Sequence, residues 1–168
     1  SAGGMEQAKG GEMCGIIAYT GYRKAKSILL DCLKRLEYRG YDSCGMAVIE
    51  NNKIESKRVV GRVNNLARTC RGILENSDCG IAHTRWATHG KVNETNAHPH
   101  FDCGNDMAVV HNGIIENYAE LKRMLENEGH KFRSETDTEI LAHLIEKFSH
   151  EGVENAIIRA LKLVDGAY

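Results

Sequence analysis

The sequence predicts an α+β domain in which layers of β-sheet are covered by helices. Short apolar runs bounded by turn residues are typical of strands, and other stretches repeat their apolar residues at helical spacing. Strands and helices follow one another in separate blocks, which favours sheet layers packed under helices. A length of 168 residues allows one domain with a real core and is too short for two comfortable ones.

Composition excludes several classes of function. Lys plus Arg number 22 and Asp plus Glu number 23, so no basic surplus points to nucleic acid and no polybasic run points to a membrane surface. No apolar stretch approaches the length of a membrane span, and the start lacks the apolar core of a signal peptide. We therefore expect a cytoplasmic protein in which the five cysteines other than Cys14 are reduced and mostly buried.

The chain divides into a short leader and one domain. Residues 1–13 are small, polar and rich in glycine, and we interpret them as a leader, a pro-segment or a remnant of expression cloning. Residues 14–168 form the domain. Its first half is predicted to contain strands at 14–19 (buried), 44–50, 53–60 and 79–84, and helices at 23–36 and 64–75. Asn51-Asn52 tolerates positive φ, so strands 44–50 and 53–60 should form a hairpin.

The second half is richer in helices. Residues 107–110 are predicted as a strand that leads into His111-Asn112-Gly113, and a helix is expected from Tyr118. Thr136-Asp137-Thr138-Glu139 has the spacing of a capping box, so Thr136 should cap a helix that runs to Phe148. A last helix is predicted over 153–164.

Cys14 is the first residue of the domain and carries the main functional hypothesis. If the chain is processed so that Cys14 becomes the first residue, its α-amino group, with a reference pKa of roughly 7.7–8.0, can take the proton of its own thiol. Cys14 would then be nucleophile and general base in one residue. Any residue left in front turns this amine into an amide without a basic lone pair. The alternative is that Cys14 is a small buried hydrophobe at the start of a strand.

Six motifs occur in order along the chain, at 14–19, 37–43, 82–90, 96–100, 110–118 and 134–139. Together they resemble the glutaminase domain of the glucosamine-6-phosphate synthase family, the glutamine–fructose-6-phosphate amidotransferases. That domain belongs to the class II glutamine amidotransferases, a branch of the N-terminal nucleophile hydrolases. The resemblance extends from Met13 to Tyr168 and implies a four-layer αββα fold.

The resemblance also implies an activity. The expected enzyme hydrolyses L-glutamine to glutamate and ammonia through a thioester on Cys14, which is the ammonia half of glucosamine-6-phosphate synthesis from fructose-6-phosphate. No metal or organic cofactor is implied. Two alternatives stay open: a glutaminase domain that serves a different acceptor, and an inactive glutamine-binding fragment in which the leader blocks the amine of Cys14.

Two pairs of residues are expected to act directly on glutamine. The side-chain NH₂ of Asn112 and the backbone N–H of Gly113 match the family's oxyanion donors. Arg85 would pair with the α-carboxylate of glutamine and Asp137 with its α-ammonium. The alternatives are a plain Asn-Gly turn, a surface salt bridge of Arg85, and a helix cap for Asp137.

Four further residues are expected around the substrate. Thr88 and His89 resemble the family's substrate-loop residues, Trp86 its mobile lid, and Arg39 a bracing arginine near the nucleophile. An ordinary core indole would explain Trp86 equally, and a buried ion pair would explain Arg39. The loop 37–43, rich in Tyr, Arg and Asp, is expected to bind or brace.

The main alternative to a glutaminase site is a metal-binding site. Histidines and cysteines near the motifs offer zinc ligands: His83, His89, His98, His100, His111, Cys79 and Cys103. No Cys-x-x-Cys pair and no His-x-x-x-His helix supports this rival. Surface or supporting roles are therefore favoured for most of these histidines.

The resemblance indicates a domain that is incomplete at its C-terminus. The family pattern continues after Tyr168 into further sheet and then into sugar-phosphate isomerase domains. We expect such an isomerase domain to be supplied elsewhere in the full-length enzyme. An uncovered sheet edge favours association, so a homodimer, exchange of elements or marginal stability is expected.

Overall fold

The computed structural model describes residues 14–87 and 90–167. The predicted leader at 1–13, the candidate residues Thr88 and His89, and Tyr168 lie outside the described residues. Within the described ranges, no helix is both long enough and apolar enough to cross a membrane.

Strands dominate the first two thirds of the described chain, and three helices follow one another in the last third. The strands are β1 (Gly15–Thr20), β2 (Ser43–Glu50), β3 (Lys53–Val60), β4 (Cys79–Arg85), β5 (His100–Phe101), β6 (Ala108–Val109), β7 (Ile114–Ile115) and β8 (Gly166–Ala167). The α-helices are α1 (Ala25–Leu36), α2 (Val63–Thr69), α3 (Tyr118–Asn127), α4 (Glu139–Phe148) and α5 (Val153–Leu163). Two 3₁₀ turns, Glu37–Arg39 and Ser149–Glu151, follow α1 and α4.

The main sheet is antiparallel with strand order β1-β4-β2-β3. Asn51 and Asn52 both have positive φ and join β2 to β3, as the hairpin prediction requires. Residues 43–48 of β2 are buried without alternation. Such a continuous run is typical of a strand that is covered on both faces.

The outer strand β1 corrects one expectation. It was predicted to be buried, yet its exposure alternates and Ile16 is 42% exposed. Ile17 and Tyr19 pack on the core under α1, whereas the intervening residues face away from that helix. The period of two in a strand explains the pattern, because only one face of β1 is covered by α1.

Two apolar cores flank the centre of the molecule. The first lies between the main sheet and helices α1 and α2, and includes Leu29, Leu33, Met46, Val48 and Leu66. The second lies among α3, α4 and α5 and includes Leu121, Leu125, Ile140, Leu144 and Ala160. Their positions on α1, α4 and α5 follow the predicted helical stripes.

Short strand pairs form a layer between these two apolar cores. β5 pairs with β6 and packs on α4, while β7 pairs with β8. The segment before β5 lies directly on the main sheet, because a Cβ added to Gly45 would be 2.1 Å from the carbonyl oxygen of His98. The order of layers is therefore helices, sheet, short strands, helices, and the predicted α+β class is confirmed.

Two local predictions were wrong. Helix α2 ends at Thr69 instead of residue 75, because Gly72 and Leu74 both adopt positive φ and turn the chain toward β4. Thr136 does not cap α4, which begins at Glu139 with Thr138 at its N-cap position. In the predicted capping box, the Glu139 carboxylate would accept the backbone N–H of Thr136. It accepts the backbone N–H groups of Arg133 and Ser134 instead, which lie earlier in the chain.

Candidate active site

The alternation of β4 places His83 and Arg85 on the sheet face that points to the short strands. Thr84, on the opposite face, accepts the backbone N–H of Gly15 at 3.1 Å and ties β1 to β4. Cys14 immediately precedes β1 and therefore lies beside the end of β4. The strand register, set by residues on both strands, thus fixes the place of Cys14.

The Cys14 sulfur is held by the backbone of Trp86. The Trp86 N–H donates to Cys14 Sγ at 3.2 Å, and the thiol lies 3.7 Å from the Trp86 carbonyl oxygen. The backbone of Trp86 therefore fixes the position of the Cys14 sulfur. Cys14 as a whole is half-buried.

Asn112 bridges Cys14 and His83. Its Nδ2 donates to the Cys14 carbonyl oxygen at 3.0 Å, and its Oδ1 lies 2.7 Å from His83 Nε2. His83 Nε2 is also 3.2 Å from the carbonyl oxygen of His111, which is an acceptor only. His83 Nε2 therefore carries the proton, and the Asn112 amide must direct its NH₂ toward Cys14.

His83 is neutral at the bottom of the site. Burial lowers the pKa of His83 to about 4, against the opposing effect of its bonds to Asn112 and His111. Its Nδ1 is buried and has no hydrogen-bond partner among the described residues, as a neutral imidazole permits. The ring stacks on His98 with centroids 3.9 Å apart, and His98 contacts His100 edge-on at 4.7 Å.

Gly113 allows a close approach of the backbone to β8. It has a φ of 152°, and a Cβ at this position would lie 2.0 Å from the carbonyl oxygen of Ala167. Only glycine fits here without moving β8. The backbone next to Asn112 is therefore held close to the second strand pair.

Arg85 is nearly buried, with 4% of its surface exposed. Its Nη1 donates to the carbonyl oxygen of Lys91 at 3.4 Å. Burial lowers the pKa of Arg85, while the charges of Asp42, Cys14 and Asp137 act in the opposite direction. The guanidinium is therefore a positive charge in a site that also contains carboxylates.

Asp42 braces the segment after β4. Its backbone N–H donates to the Arg85 carbonyl oxygen at 2.8 Å, and its Oδ2 accepts the Ala87 N–H at 2.5 Å. Ser43 Oγ donates to the other carboxylate oxygen at 2.9 Å. This agrees with the bracing role expected of loop 37–43, although the sequence reasoning did not single out Asp42.

Asp137 and Thr136 connect α4 to the site. Asp137 is 7% exposed, and its Oδ2 accepts the Ile115 N–H at 2.8 Å. The Thr136 hydroxyl lies 2.9 Å from His100 Nε2 and is engaged there rather than at the helix end. The bond to the Ile115 N–H on β7 thus holds the Asp137 carboxylate at the site.

Most of the predicted site residues that the structure describes line one pocket. It is lined by Cys14, His83, Arg85, Trp86, His98, His111, Asn112, Gly113, Thr136, Asp137 and Thr138. Its free volume is about 30 Å³, which suffices for a water molecule or two. A larger cavity of about 290 Å³, lined in part by Arg58, His100 and Arg133, does not include Cys14.

The structure thus brings together six of the predicted site residues and leaves one apart. Cys14, Arg85, Trp86, Asn112, Gly113 and Asp137 all line the pocket. Arg39 is not among its lining residues; its Nε donates to the hydroxyl of Tyr38 at 3.2 Å. The sequence reasoning missed His83 as a partner of Asn112, although its place two residues before Arg85 puts both on one face of a strand.

Three members of the rival set of metal ligands, His83, His98 and His111, line the pocket, but among the described residues the set does not bring three ligand atoms together there. Among its described members, His98 Nδ1 accepts the His111 N–H at 3.4 Å, and His111 contacts Thr138 Oγ1 at 3.1 Å. His83 and His100 are likewise engaged by Asn112 and Thr136. Hydrogen bonds within the protein therefore account for these four histidines.

Comparisons with known proteins identify the family of this chain. A family model described as a glutamine amidotransferase domain matches residues 43–157. The glutamine–fructose-6-phosphate aminotransferase (isomerizing) of Aquifex aeolicus is 51% identical over 156 residues, which cover 93% of this chain and 26% of that protein. The enzyme of the same name from Pyrococcus horikoshii is 56% identical over 135 residues, covering 80% of this chain and 23% of that protein. The chain thus spans about a quarter of the length of the curated relatives that it matches.

Solved structures show the same fold. The glutamine phosphoribosylpyrophosphate amidotransferase from B. subtilis, complexed with ADP and GMP, superposes with a TM-score of 0.77 at 30% identity, covering 91% of this chain and 33% of that one. A structure described as the allosteric regulatory enzyme of purine biosynthesis gives a TM-score of 0.79 at 30% identity, covering 91% of this chain and 34% of that one. From the matched family model and the high identity over most of the chain, this protein belongs to the glutamine amidotransferase domain family.

Proposed function

We propose that this chain hydrolyses L-glutamine to glutamate and ammonia, with the Cys14 thiolate as nucleophile. One observation carries the proposal: a sulfur, an amide donor, a guanidinium and a carboxylate, from Cys14, Asn112, Arg85 and Asp137, line a single pocket. These groups are the minimum that the hydrolysis of a side-chain amide requires: a nucleophile, an oxyanion donor and a grip on the amino-acid head group.

In the proposed reaction, Cys14 Sγ attacks the side-chain amide carbon of glutamine. The carbonyl oxygen becomes an oxyanion, which the Asn112 NH₂ and the Gly113 N–H stabilise; one such donor is typically worth about 2.7–4 kcal/mol. The amide nitrogen leaves as ammonia after protonation, and a γ-glutamyl thioester remains on Cys14. Water then attacks the thioester carbon, which releases glutamate and restores the thiol.

Two buried charges are proposed to bind the head group. Arg85 would form a two-bond pair with the α-carboxylate, and the other carboxylate oxygen of Asp137, Oδ1, would accept a hydrogen bond from the α-ammonium. Since the free volume is about 30 Å³, glutamine enters only if lining side chains move outward. Trp86, half-buried at the rim, is our candidate for this movement, with Thr88 and His89 next to it in the sequence.

We propose fructose-6-phosphate as the final acceptor of the ammonia. The support is the name of the relatives that are 51% and 56% identical to this chain. The sugar-phosphate isomerase domain would lie in the remaining three quarters of such a full-length protein. A cytoplasmic location is part of the proposal, and the six free thiols support it, since disulfides are rare in that compartment.

The test compares three proteins: one that begins at Cys14, one that retains residues 1–13, and a Cys14→Ser variant of the first. We expect steady ammonia release only from the first, because only there is the nucleophile's own amine unblocked. A diazoketone analogue of glutamine should label Cys14 and no other cysteine, as read by peptide mass. Equal ammonia release from the Cys14→Ser protein would contradict the proposal.

The second candidate is a silent glutamine-binding domain. The observation in its favour is that Met13 precedes Cys14 in this chain, which makes the Cys14 nitrogen an amide. Calorimetry with L-glutamine on the protein that retains residues 1–13 distinguishes the two: binding without ammonia release, together with an inactive Cys14-first protein, would favour the silent domain.

A further inference from the structure

Four side chains outside the active-site pocket point their ligand atoms at one another. Cys103 lies in the turn between β5 and β6, His130 follows α3, and His143 and Glu146 are one turn apart on α4. One ligand atom from each lies within 4.8 Å of all the others. None of the four lines the pocket around Cys14, so this cluster is independent of the proposed glutaminase chemistry.

The distances match the edges of a tetrahedron around a zinc ion. With zinc–nitrogen bonds of about 2.0–2.1 Å and zinc–sulfur bonds of about 2.3 Å, tetrahedral ligands lie about 3.3 Å (N to N) and about 3.6 Å (S to N) apart. Here the two histidine Nδ1 atoms are 3.3 Å apart, and Cys103 Sγ is 3.7 and 3.6 Å from them. Glu146 Oε2 lies 2.9 Å and 3.2 Å from the same two nitrogens.

The surroundings also suit a metal ligand set. The His143 side chain is fully buried, and its other ring nitrogen, Nε2, lies 3.5 Å from Glu139 Oε1 without a hydrogen bond of good geometry. A carboxylate behind a ligating imidazole is the usual way of orienting such a ligand. The Cys103 N–H donates to Glu146 Oε2 at 3.2 Å and aligns that carboxylate with the cluster.

We propose that Cys103, His130, His143 and Glu146 form a structural Zn²⁺ site. One thiolate, two imidazoles and one carboxylate suit zinc, and four protein ligands complete a closed tetrahedral site. The ion would fasten the β5–β6 turn and the segment after α3 to helix α4. That helix begins two residues after Asp137, so the site would anchor one end of the wall that faces the active-site pocket.

The experiment uses the full chain without a histidine tag. After exhaustive dialysis against metal-free buffer, elemental analysis should find about one zinc per chain. Replacement by Co²⁺ should give the intense visible bands of a tetrahedral ion and a thiolate-to-cobalt band in the near ultraviolet. Cys103→Ser should abolish the thiolate band, and His130→Gln should weaken zinc binding by at least the roughly 10–100-fold typical of changes around a zinc site.

Three matched variants serve as controls. Cys14→Ser and Cys79→Ser remove thiols outside the cluster, and His150→Gln removes an exposed imidazole. All three should keep the cobalt spectrum and the zinc content of the parent chain. Because the parent's cobalt spectrum reports thiolate coordination directly, the test stands even if a cluster variant does not fold.

Two results would overturn the proposal. The first is a parent chain that is free of zinc after purification and gives no tetrahedral cobalt spectrum on titration. The second is a folded Cys103→Ser or His130→Gln protein that binds zinc as tightly as the parent. In either case protons, not a metal, would hold the four side chains together. Neither result concerns ammonia release, so failure here is separate from failure of the proposed function.

Discussion

The orientation of the Asn112 amide depends on a histidine that touches no substrate atom in the proposed reaction. His83 Nε2 donates toward Asn112 Oδ1 and the His111 carbonyl oxygen, so the NH₂ end of Asn112 faces Cys14. A rotated Asn112 amide, or a His83 that carried its only proton on Nδ1, would lose this arrangement. Burial lowers the pKa of His83 to about 4, which keeps the ring neutral at neutral pH, and its two acceptor partners place the proton on Nε2.

We therefore predict that His83→Phe lowers kcat for ammonia release by about 10–100-fold and leaves KM within about threefold, less than the roughly 10²–10³-fold expected for Asn112→Ala. Phenylalanine keeps the ring next to His98 but cannot donate to Asn112. Steady-state kinetics on proteins that begin at Cys14 provide the measurement, and His150→Phe is the control. An unchanged kcat in a folded His83→Phe protein would show that Asn112 needs no such support.

The sequence predicted the residues of the pocket better than it predicted their partners. Cys14, Arg85, Asn112 and Asp137 stand in motifs, so their presence in one site follows from the resemblance. The bond from His83 to Asn112 joins residues 29 positions apart, and its geometry exists only after β4 and the segment beyond β6 are brought together. Local patterns contain no information on such contacts.

At the level of elements, helices with strong apolar periodicity were predicted to within two residues. α1 begins two residues after the predicted start, and α5 ends one residue before the predicted end. The short strands were harder: β6 covers two of the four predicted residues, and β5, β7 and β8 were not predicted. Each is only two residues long, so its existence depends on its partner strand and not on its own sequence.

The contact between β2 and the segment before β5 gives a prediction at this scale. A Cβ on Gly45 would lie 2.1 Å from the His98 carbonyl oxygen and 2.9 Å from the Lys57 carbonyl oxygen, both of which are backbone atoms. Gly45→Ala must therefore push the His98 segment off the sheet. We expect a loss of about 1–3 kcal/mol in the free energy of unfolding, typical of overpacking, and reduced ammonia release.

Urea denaturation of the Gly45→Ala protein tests this prediction, with Gly104→Ala as the control. The Cβ at residue 104 would lie 2.7 Å from the carboxylate end of the exposed Asp106 side chain, which can rotate away. Its stability should stay within about 0.5 kcal/mol of the parent. A Gly45→Ala protein as stable as the Gly104→Ala protein would show that the short-strand layer is not seated on the main sheet as described.

For the whole molecule, the stack of histidines between the two layers makes stability dependent on pH. Burial lowers the pKa of His83 to about 4 and that of His100 to about 3, and it lowers the pKa of His98 well below its usual value. In the unfolded chain all three return to about 6.5. Below that pH the unfolded state therefore binds more protons than the folded state, and stability falls as the pH falls.

We predict that the free energy of unfolding is lower at about pH 5.5 than at about pH 7.5 by roughly 3–4 kcal/mol, since each of three imidazoles contributes up to about 1.4 kcal/mol per pH unit in this window. Urea denaturation at a series of pH values measures this slope. His83→Phe should reduce the slope by the equivalent of about one proton taken up on unfolding, because the ring that must stay neutral is gone. His150→Gln, which changes an exposed histidine, should leave the slope unchanged. Equal stability of the parent at both pH values would mean that the folded protein accepts protons on this stack and that the three rings are not held neutral in mild acid.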